Sequence, residues 1–130
     1  MSEHPNAARI REGYEAFGKG DLAALAELWL PDIVWHEPGN SPFSGTYRGT
    51  DAVFGLLGRL MEVTEGSLRV DPLLICADDE YGTALVRITA HRGDRHLSAL
   101  TSHVFRAVDG RTAEFWEAPT DQAAGDEFFS

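Results

Sequence analysis

Residues 14–22 read YEAFGKGDL, and this short stretch decides how the first third of the chain folds. Before and within it, apolar side chains recur at the three- and four-residue spacing of an amphipathic helix, at Ala7, Ile10, Tyr14 and Phe17. Gly18 and Gly20 predict the end of that helix, and Asp21 is a favourable N-cap for another. The stretch therefore predicts two helices joined by a tight corner.

The segments that follow the corner alternate between strand and helix patterns. The second helix is predicted to end before Pro31, because a proline ring does not fit inside a helix. A short strand over residues 33–37 and a loop rich in proline, glycine and serine over residues 38–45 come next. A third amphipathic helix is predicted over about residues 50–64.

The second half of the chain changes to strand patterns. Runs rich in β-branched and aromatic residues are separated by short turn sequences, over residues 68–77, 81–91, 96–106 and 111–118. Pro72 predicts an edge position or a bulge in the first of these strands, and Asp121 predicts the N-cap of a short closing helix. These patterns predict one domain over residues 1–130 of the α+β class, with helices covering one face of a mainly antiparallel sheet.

Charge and composition limit the partners of this domain. The 130 residues include 21 acidic and 11 basic side chains, and the net charge of -10 repels nucleic acid and anionic membrane surfaces. No apolar run approaches the length of a membrane span. The single cysteine, Cys76, excludes an intrachain disulfide and suits a reducing cytoplasm, which is the expected location. The motifs of nucleotide, flavin and structural zinc sites are missing, so we expect no cofactor and no metal.

Trp35, His36 and Glu37 form the run that most suggests chemistry. Alternation along a strand places Trp35 and Glu37 on one face and His36 on the other. If that face is interior, the indole desolvates the carboxyl group and raises its pKa toward the range useful for general acid or base catalysis. The alternative is a partly exposed glutamate at the end of a strand.

Tyr14 and His103 are the other candidates for an interior site. Tyr14 lies on the buried face of the first helix, and His103 lies in an otherwise apolar strand, so either could equally be a core residue with a satisfied polar group. Trp116 and Glu117 point to opposite faces of the last strand, and the sequence does not say which of them faces inward. A metal site, which we do not expect because it needs several converging ligands, would draw on His36, His91, His96 or His103.

The order of these parts resembles that of the nuclear transport factor 2-like superfamily, which includes ketosteroid isomerase and the SnoaL-like polyketide cyclases. The resemblance spans about residues 7–128, and its most specific stretches are YEAFGKGDL at residues 14–22 and EPGNSPFSGT at residues 37–46. It implies a cone-shaped fold, in which the curved sheet wraps around three N-terminal helices and encloses one apolar pocket.

The resemblance also implies roles for individual residues. Glu37 stands where ketosteroid isomerase has its aspartate base, Tyr14 where it has an oxyanion-hole tyrosine, and His103 near its second donor, a protonated aspartic acid. These three are therefore the candidate catalytic residues. The candidate substrate-binding residues, which would line or shape the pocket, are Trp35, Phe17, Trp29 and Trp116.

The function implied by the resemblance is an enzyme without metal or organic cofactor that transfers a proton on an apolar, carbonyl-bearing small molecule. Isomerase, cyclase and related lyase or hydrolase chemistry all fit such a site. The alternative is a non-catalytic module of the same fold that binds a small ligand or another protein. In either case we expect a homodimer formed through the sheet, because the outer face of a sheet needs cover.

Overall fold

The computed structural model describes residues 3–130, which form four helices and six strands. In chain order these are α1 (Pro5–Lys19), α2 (Leu22–Leu28), β1 (Trp29–Glu37), β2 (Gly45–Arg48), α3 (Thr50–Val63), β3 (Arg69–Ala77), β4 (Tyr81–Arg92), β5 (Arg95–Val108), β6 (Arg111–Pro119) and α4 (Gln122–Phe129). The prediction of an α+β fold is confirmed.

The strands form one curved sheet in the order β2-β1-β6-β5-β4-β3. Four of the five pairings are antiparallel, and β1 pairs with β6 in parallel. Side chains along β4 alternate between buried and partly exposed, because one face of the sheet is covered by the helices. The mainly antiparallel sheet wrapped around helices is therefore confirmed, as a mixed sheet with the shape of a cone.

The corner between α1 and α2 follows from its caps. Gly20 adopts a left-handed conformation with φ 68°, and its N–H bonds to the carbonyls of Ala16 and Phe17. The Asp21 carboxylate then accepts from the N–H of Ala24 at 3.1 Å and starts α2. The predicted corner is confirmed.

Helix α2 ends before Pro31, as predicted, but Trp29, which the apolar pattern assigned to the helix, lies outside it. The helix stops at Leu28, and Trp29 is already extended, with φ −111° and ψ 151°. Pro31 lies within β1, where the register against β6 shifts between Trp29 and Val34, so the missing N–H of the proline is not needed by the ladder. Arg111 bonds to carbonyls at the end of α2, including that of Glu27 at 3.2 Å.

Strand β2 lies partly within the segment predicted as a loop. Its four residues pair antiparallel with the second half of β1, so Glu37 faces Gly45 across the ladder. The segment holds too few residues between glycines to give a strand pattern in the sequence. At the other edge of the sheet, the register of β3 shifts between Pro72 and Leu74, which confirms both the edge position and the bulge.

The closing helix α4 is confirmed, with the Asp121 carboxylate accepting from the N–H of Ala124 at 3.1 Å. Its last turn is held by Arg92, whose Nη1 donates to the carbonyl of Phe128 at 2.8 Å. Buried Phe128 packs with α1 and the central strands in one of two hydrophobic clusters. The other cluster joins α2, β1 and α3, and residues of both clusters line the cavity described next.

Within the described residues, no helix has both the length and the apolar character needed to cross a membrane.

Candidate active site

The helices and the concave face of the sheet enclose a cavity of about 180 Å³. Its walls come from α1, β1, β5, β6 and α4, and most of the side chains in them are apolar or aromatic. An apolar protein cavity of about 150 Å³ can hold benzene, so this one has room for a compact ring-containing molecule.

Three of the four residues expected to shape the pocket line this cavity: Trp35, Phe17 and Trp29. The expectation for Trp116 is wrong, because its ring lies on the outer face of the sheet and stacks on His36 with 5.4 Å between the ring centroids. Phe115, 2% exposed, sets this orientation by pointing inward, and alternation then turns Glu117 into the cavity.

Glu37 and Glu117 form a carboxyl pair at the ends of two neighbouring strands. In the parallel pairing of β1 with β6, His36 is aligned with Trp116, so the next residue of each strand points to the same inner face. Burial raises the pKa of Glu37 well above its ordinary value, and the negative charge of Glu117 raises it further. Burial also raises the pKa of Glu117. Two such coupled carboxyls titrate as a unit that retains a proton beyond the ordinary range of glutamate.

The indole of Trp35 positions the Glu37 carboxyl. Its Nε1–H donates to Oε1 of Glu37 at 2.8 Å, and its ring stacks on Phe115 with 3.7 Å between centroids. The hydrogen bond favours the ionised carboxylate and works against the burial, which remains the larger influence on the pKa. Trp35 thus contributes to the site through a polar contact as well as through its surface.

His103 connects Tyr14 with Glu117. Its Nδ1 lies 2.7 Å from the Tyr14 hydroxyl, and its Nε2 lies 3.2 Å from Oε1 of Glu117. Burial lowers the pKa of His103 to about 4, against a smaller raising effect from the charge of Glu37. Burial and then the charge of Glu117 raise the pKa of Tyr14 above its ordinary value, so the phenol and the imidazole are both neutral near pH 7.

The proton on Glu117 selects the direction of these hydrogen bonds, because a neutral imidazole carries one N–H. With Glu117 ionised, Nε2–H of His103 donates to it and Nδ1 accepts from the Tyr14 hydroxyl. With Glu117 protonated, its O–H donates to Nε2, Nδ1–H donates to the Tyr14 oxygen, and the hydroxyl hydrogen of Tyr14 is free for a ligand. Both ring nitrogens of His103 are engaged in either case, so its expected role as a direct donor to the ligand is replaced by that of a link.

The other histidines lie apart from this site. His36, on the outer face, bonds through Nε2 to Oε2 of Glu114 at 2.7 Å. His91 and His96 pair across the β4–β5 turn with 6.2 Å between their ring centroids. The four histidines considered for a metal therefore do not converge.

The cone-shaped α+β fold places the chain in the nuclear transport factor 2-like class of proteins. Residues 10–115 match the model of the SnoaL-like domain, and the chain belongs to this family.

Similar proteins extend the match over the whole chain. Bal32a, from a soil-derived mobile gene cassette, is 35% identical over 97% of each chain, with a TM-score of 0.93. An NTF2-like protein of unknown function from Burkholderia pseudomallei is 25% identical, with a TM-score of 0.87, over 100% of this chain and 99% of that one. An uncharacterized protein of Mycobacterium tuberculosis is 27% identical over 100% of both chains.

Proposed function

We propose that the chain is a cofactor-independent enzyme that transfers a proton on an apolar, carbonyl-bearing small molecule. The observation that carries this proposal is the carboxyl pair Glu37 and Glu117, which is desolvated in an aromatic cavity and connected through His103 to the Tyr14 hydroxyl. Perturbed ionisable groups that converge in one apolar cavity are typical of active sites. Membership of the SnoaL-like family supports a role on small molecules.

The two carboxyls share one proton between them, and the reactive arrangement is the one that holds it on Glu117. Ionised Glu37, held by Trp35, then removes a proton from the carbon next to the carbonyl group. The electron pair of that C–H bond forms a carbon–carbon double bond, and the π pair of the carbonyl group moves to its oxygen. Because protonated Glu117 fixes the His103 tautomer, the free hydroxyl hydrogen of Tyr14 donates to the developing oxyanion. Return of the proton at another carbon gives isomerisation, and attack of the enolate on a second carbonyl gives cyclisation.

The experiment is hydrogen–deuterium exchange at the α carbons of 2-tetralone, a compact neutral ketone, followed by NMR in D₂O. We expect the chain to accelerate exchange, and Glu37→Gln and Glu117→Leu each to lose it by about 100-fold or more, because leucine, unlike glutamine, cannot donate to His103 as protonated Glu117 does. Glu114→Gln is the matched control, because this carboxylate lies on the outer face beside His36. Exchange that survives both cavity substitutions would contradict the proposal.

The second candidate is a non-catalytic binding module. The aromatic lining that favours an enzyme also suits a binding site, and Trp35 and Trp29 would report occupancy through their fluorescence. Saturable fluorescence changes with 2-tetralone, without accelerated exchange, would favour this candidate. An affinity for 2-tetralone that is unchanged in Glu37→Gln would favour it further.

We also propose that the protein forms a homodimer through the outer face of the sheet. A second proposal is that the protein is located in the cytoplasm. Support for the dimer comes from half-buried apolar side chains on that face, including Val104 and Trp116, which are paired across β5 and β6. The lone, exposed Cys76 supports a reducing compartment. Sedimentation of the wild type and of Trp116→Glu tests the dimer: we expect the charge to give monomers, and an unchanged mass would contradict this interface.

A further inference from the structure

Arg9 places a positive charge at the edge of the cavity, where its side chain is exposed to solvent. It lines the cavity from α1 and is the only lysine or arginine among the described lining residues. Arg9 and Tyr14 are five residues apart, or roughly 7.5 Å along a helix axis. On β5, cavity-lining His103 and Ala107 are four residues apart, or roughly 13 Å along a strand. Arg9 therefore lies more than one helical turn along α1 from Tyr14, which contacts His103.

The Arg9 guanidinium is held in place by a buried amide. Its Nη1 donates to Oδ1 of Asn6 at 2.7 Å, and Asn6 is only 8% exposed. The Asn6 amide nitrogen in turn donates to the carbonyls of Asp78 and Asp79 at 3.1 and 3.3 Å. Because every polar atom of the Asn6 side chain is engaged, the amide fixes one corner of the guanidinium against the β3–β4 turn.

Gly110 makes room for this guanidinium in the β5–β6 turn. A β-carbon at Gly110 would lie 2.3 Å from Nη1 and 2.7 Å from Cζ of Arg9, and the glycine has a left-handed φ of +82°. The left-handed backbone conformation favours glycine at this position, and a β-carbon there would displace the end of the Arg9 side chain. The Arg9 side chain rests directly on the turn that closes this part of the cavity.

The charge of Arg9 is not neutralised by a close carboxylate. Within residues 3–130, no Asp or Glu oxygen lies within 4.0 Å of its side-chain nitrogens, whereas Arg11 pairs with Glu3 at 2.8 Å. Asp79 and Asp109 share a shallow outer depression with Arg9, and Asp79 bonds to His4 at 2.7 Å. The bond to Asn6 uses Nη1 and leaves the edge formed by Nε and Nη2, which suits a planar carboxylate.

We propose that Arg9, positioned by Asn6 and Gly110, is an anion subsite that binds a carboxylate group of the ligand while its apolar ring body lies in the cavity. The ligand class is thus an aromatic or polycyclic carboxylic acid, with the ring system spanning the distance to the carboxyl pair. As a statement about the substrate, the Arg9 proposal rests on the proposed function, because the proposed function places the reacting carbonyl group at Glu37. As a statement about binding it needs only the cavity and Arg9.

The test compares two probes, 2-naphthoate and methyl 2-naphthoate, by calorimetric titration; they share the ring system, and the ester replaces the charge with a methyl group. We expect Arg9→Gln to weaken binding of 2-naphthoate at least tenfold and to leave the affinity for the ester within twofold. Arg11→Gln is the matched control, because it removes the same charge from the same helix at a residue that does not line the cavity. We expect it to change neither affinity by more than twofold.

Three results would overturn the subsite: no binding of 2-naphthoate, equal losses in Arg9→Gln and Arg11→Gln, or equal losses for acid and ester. Neither probe has a hydrogen on an sp³ carbon next to its carbonyl group, so the outcome does not depend on turnover. Charge selectivity without ketone exchange would therefore overturn only the proposed reaction. Ketone exchange without charge selectivity would overturn only the subsite.

Discussion

At the scale of single residues, the contact between Trp35 and Glu37 tunes the proposed base. The indole N–H donates to the Glu37 carboxylate and lowers its pKa, whereas burial and the charge of Glu117 raise it. Removing the indole therefore removes the lowering effect and leaves the two raising effects. We expect Trp35→Phe to raise the pKa of the carboxyl pair further, as measured by NMR of ¹³C-labelled glutamate carboxyls. Trp116→Phe, an equal change on the outer face, serves as the control. Identical titration curves in the wild type and Trp35→Phe would contradict the positioning role.

His103 makes a second residue-level prediction, on stability. Its pKa falls from 6.5 to about 4 on folding, so between these values the unfolded chain binds a proton that the folded chain does not. The stability that His103 contributes is complete above pH 6.5 and is lost as the pH falls toward 4. The fall in the pKa of His103 on folding corresponds to a loss of roughly 3 kcal/mol in the free energy of unfolding across this pH window.

The comparison of the wild type with His103→Gln in urea, at several pH values between 7 and 4, tests this effect. We expect the wild type to lose stability more steeply than the variant as the pH falls through this window. The comparison is needed because the raised pKa values of Glu37 and Glu117 make the free energy of unfolding increase as the pH falls, opposite to the effect of His103. Both proteins retain those carboxyls, so the difference between the two proteins reports on His103. Parallel curves for the two proteins would refute the prediction.

Individual site residues differ in how far the sequence reveals them. Trp35 and Glu37 share a face through strand alternation alone, and the structure brings both to the cavity. Glu117 could not be chosen over Trp116 in the same way. Alternation shows that neighbouring residues of a strand point to opposite faces of the sheet, but it does not show which of the two faces is the inner one. That choice depends on Phe115, which packs against Trp35 of another strand. Long-range packing of this kind leaves no pattern within the β6 segment.

At the scale of elements, helix α3 carries two glycines that its structure does not require. Gly55 and Gly58 are exposed, and a β-carbon at either would meet no other atom within 4 Å. We expect Gly55→Ala and Gly58→Ala each to stabilise the chain by about 0.5–1 kcal/mol, because alanine loses less backbone entropy in a helix. Chemical denaturation measures this gain.

Gly20→Ala provides the contrast, since Gly20 ends α1 with φ 68°. Alanine at this left-handed position is strained, so the same substitution is expected to cost about 1 kcal/mol here. Equal effects at Gly20 and in α3 would show that the local backbone conformation does not control these energies.

Elements with a long periodic pattern were predictable, and short or irregular ones were not. The strand patterns over residues 81–91 and 96–106 correspond to β4 and β5, which pair with each other over residues 81–92 and 95–106. Strand β2 has four residues and obtains its hydrogen bonds from β1, so its formation depends on a partner rather than on its own sequence. The extended path of Trp29 through Pro31 likewise depends on tertiary contacts, including those of Arg111.

At the scale of the whole molecule, the cavity links ligand binding to global stability. A ligand present at 100 times its dissociation constant adds about 2.7 kcal/mol to the free energy of unfolding. We expect 2-tetralone to raise the melting temperature of the wild type, and Ala99→Phe to abolish the shift, because Ala99 lines the cavity. Ser98→Phe, which adds the same ring at an exposed neighbouring position, is expected to keep it. Calorimetry that shows equal shifts in both variants would place the ligand elsewhere.

The irregular edge of the sheet also determines how copies of the molecule can associate. Pro72 supplies no N–H, and the register shift that follows it interrupts the row of backbone groups along β3. A neighbouring chain therefore finds no continuous template for adding a seventh strand. At this edge, any contact between copies is thus left to side chains rather than to main-chain pairing.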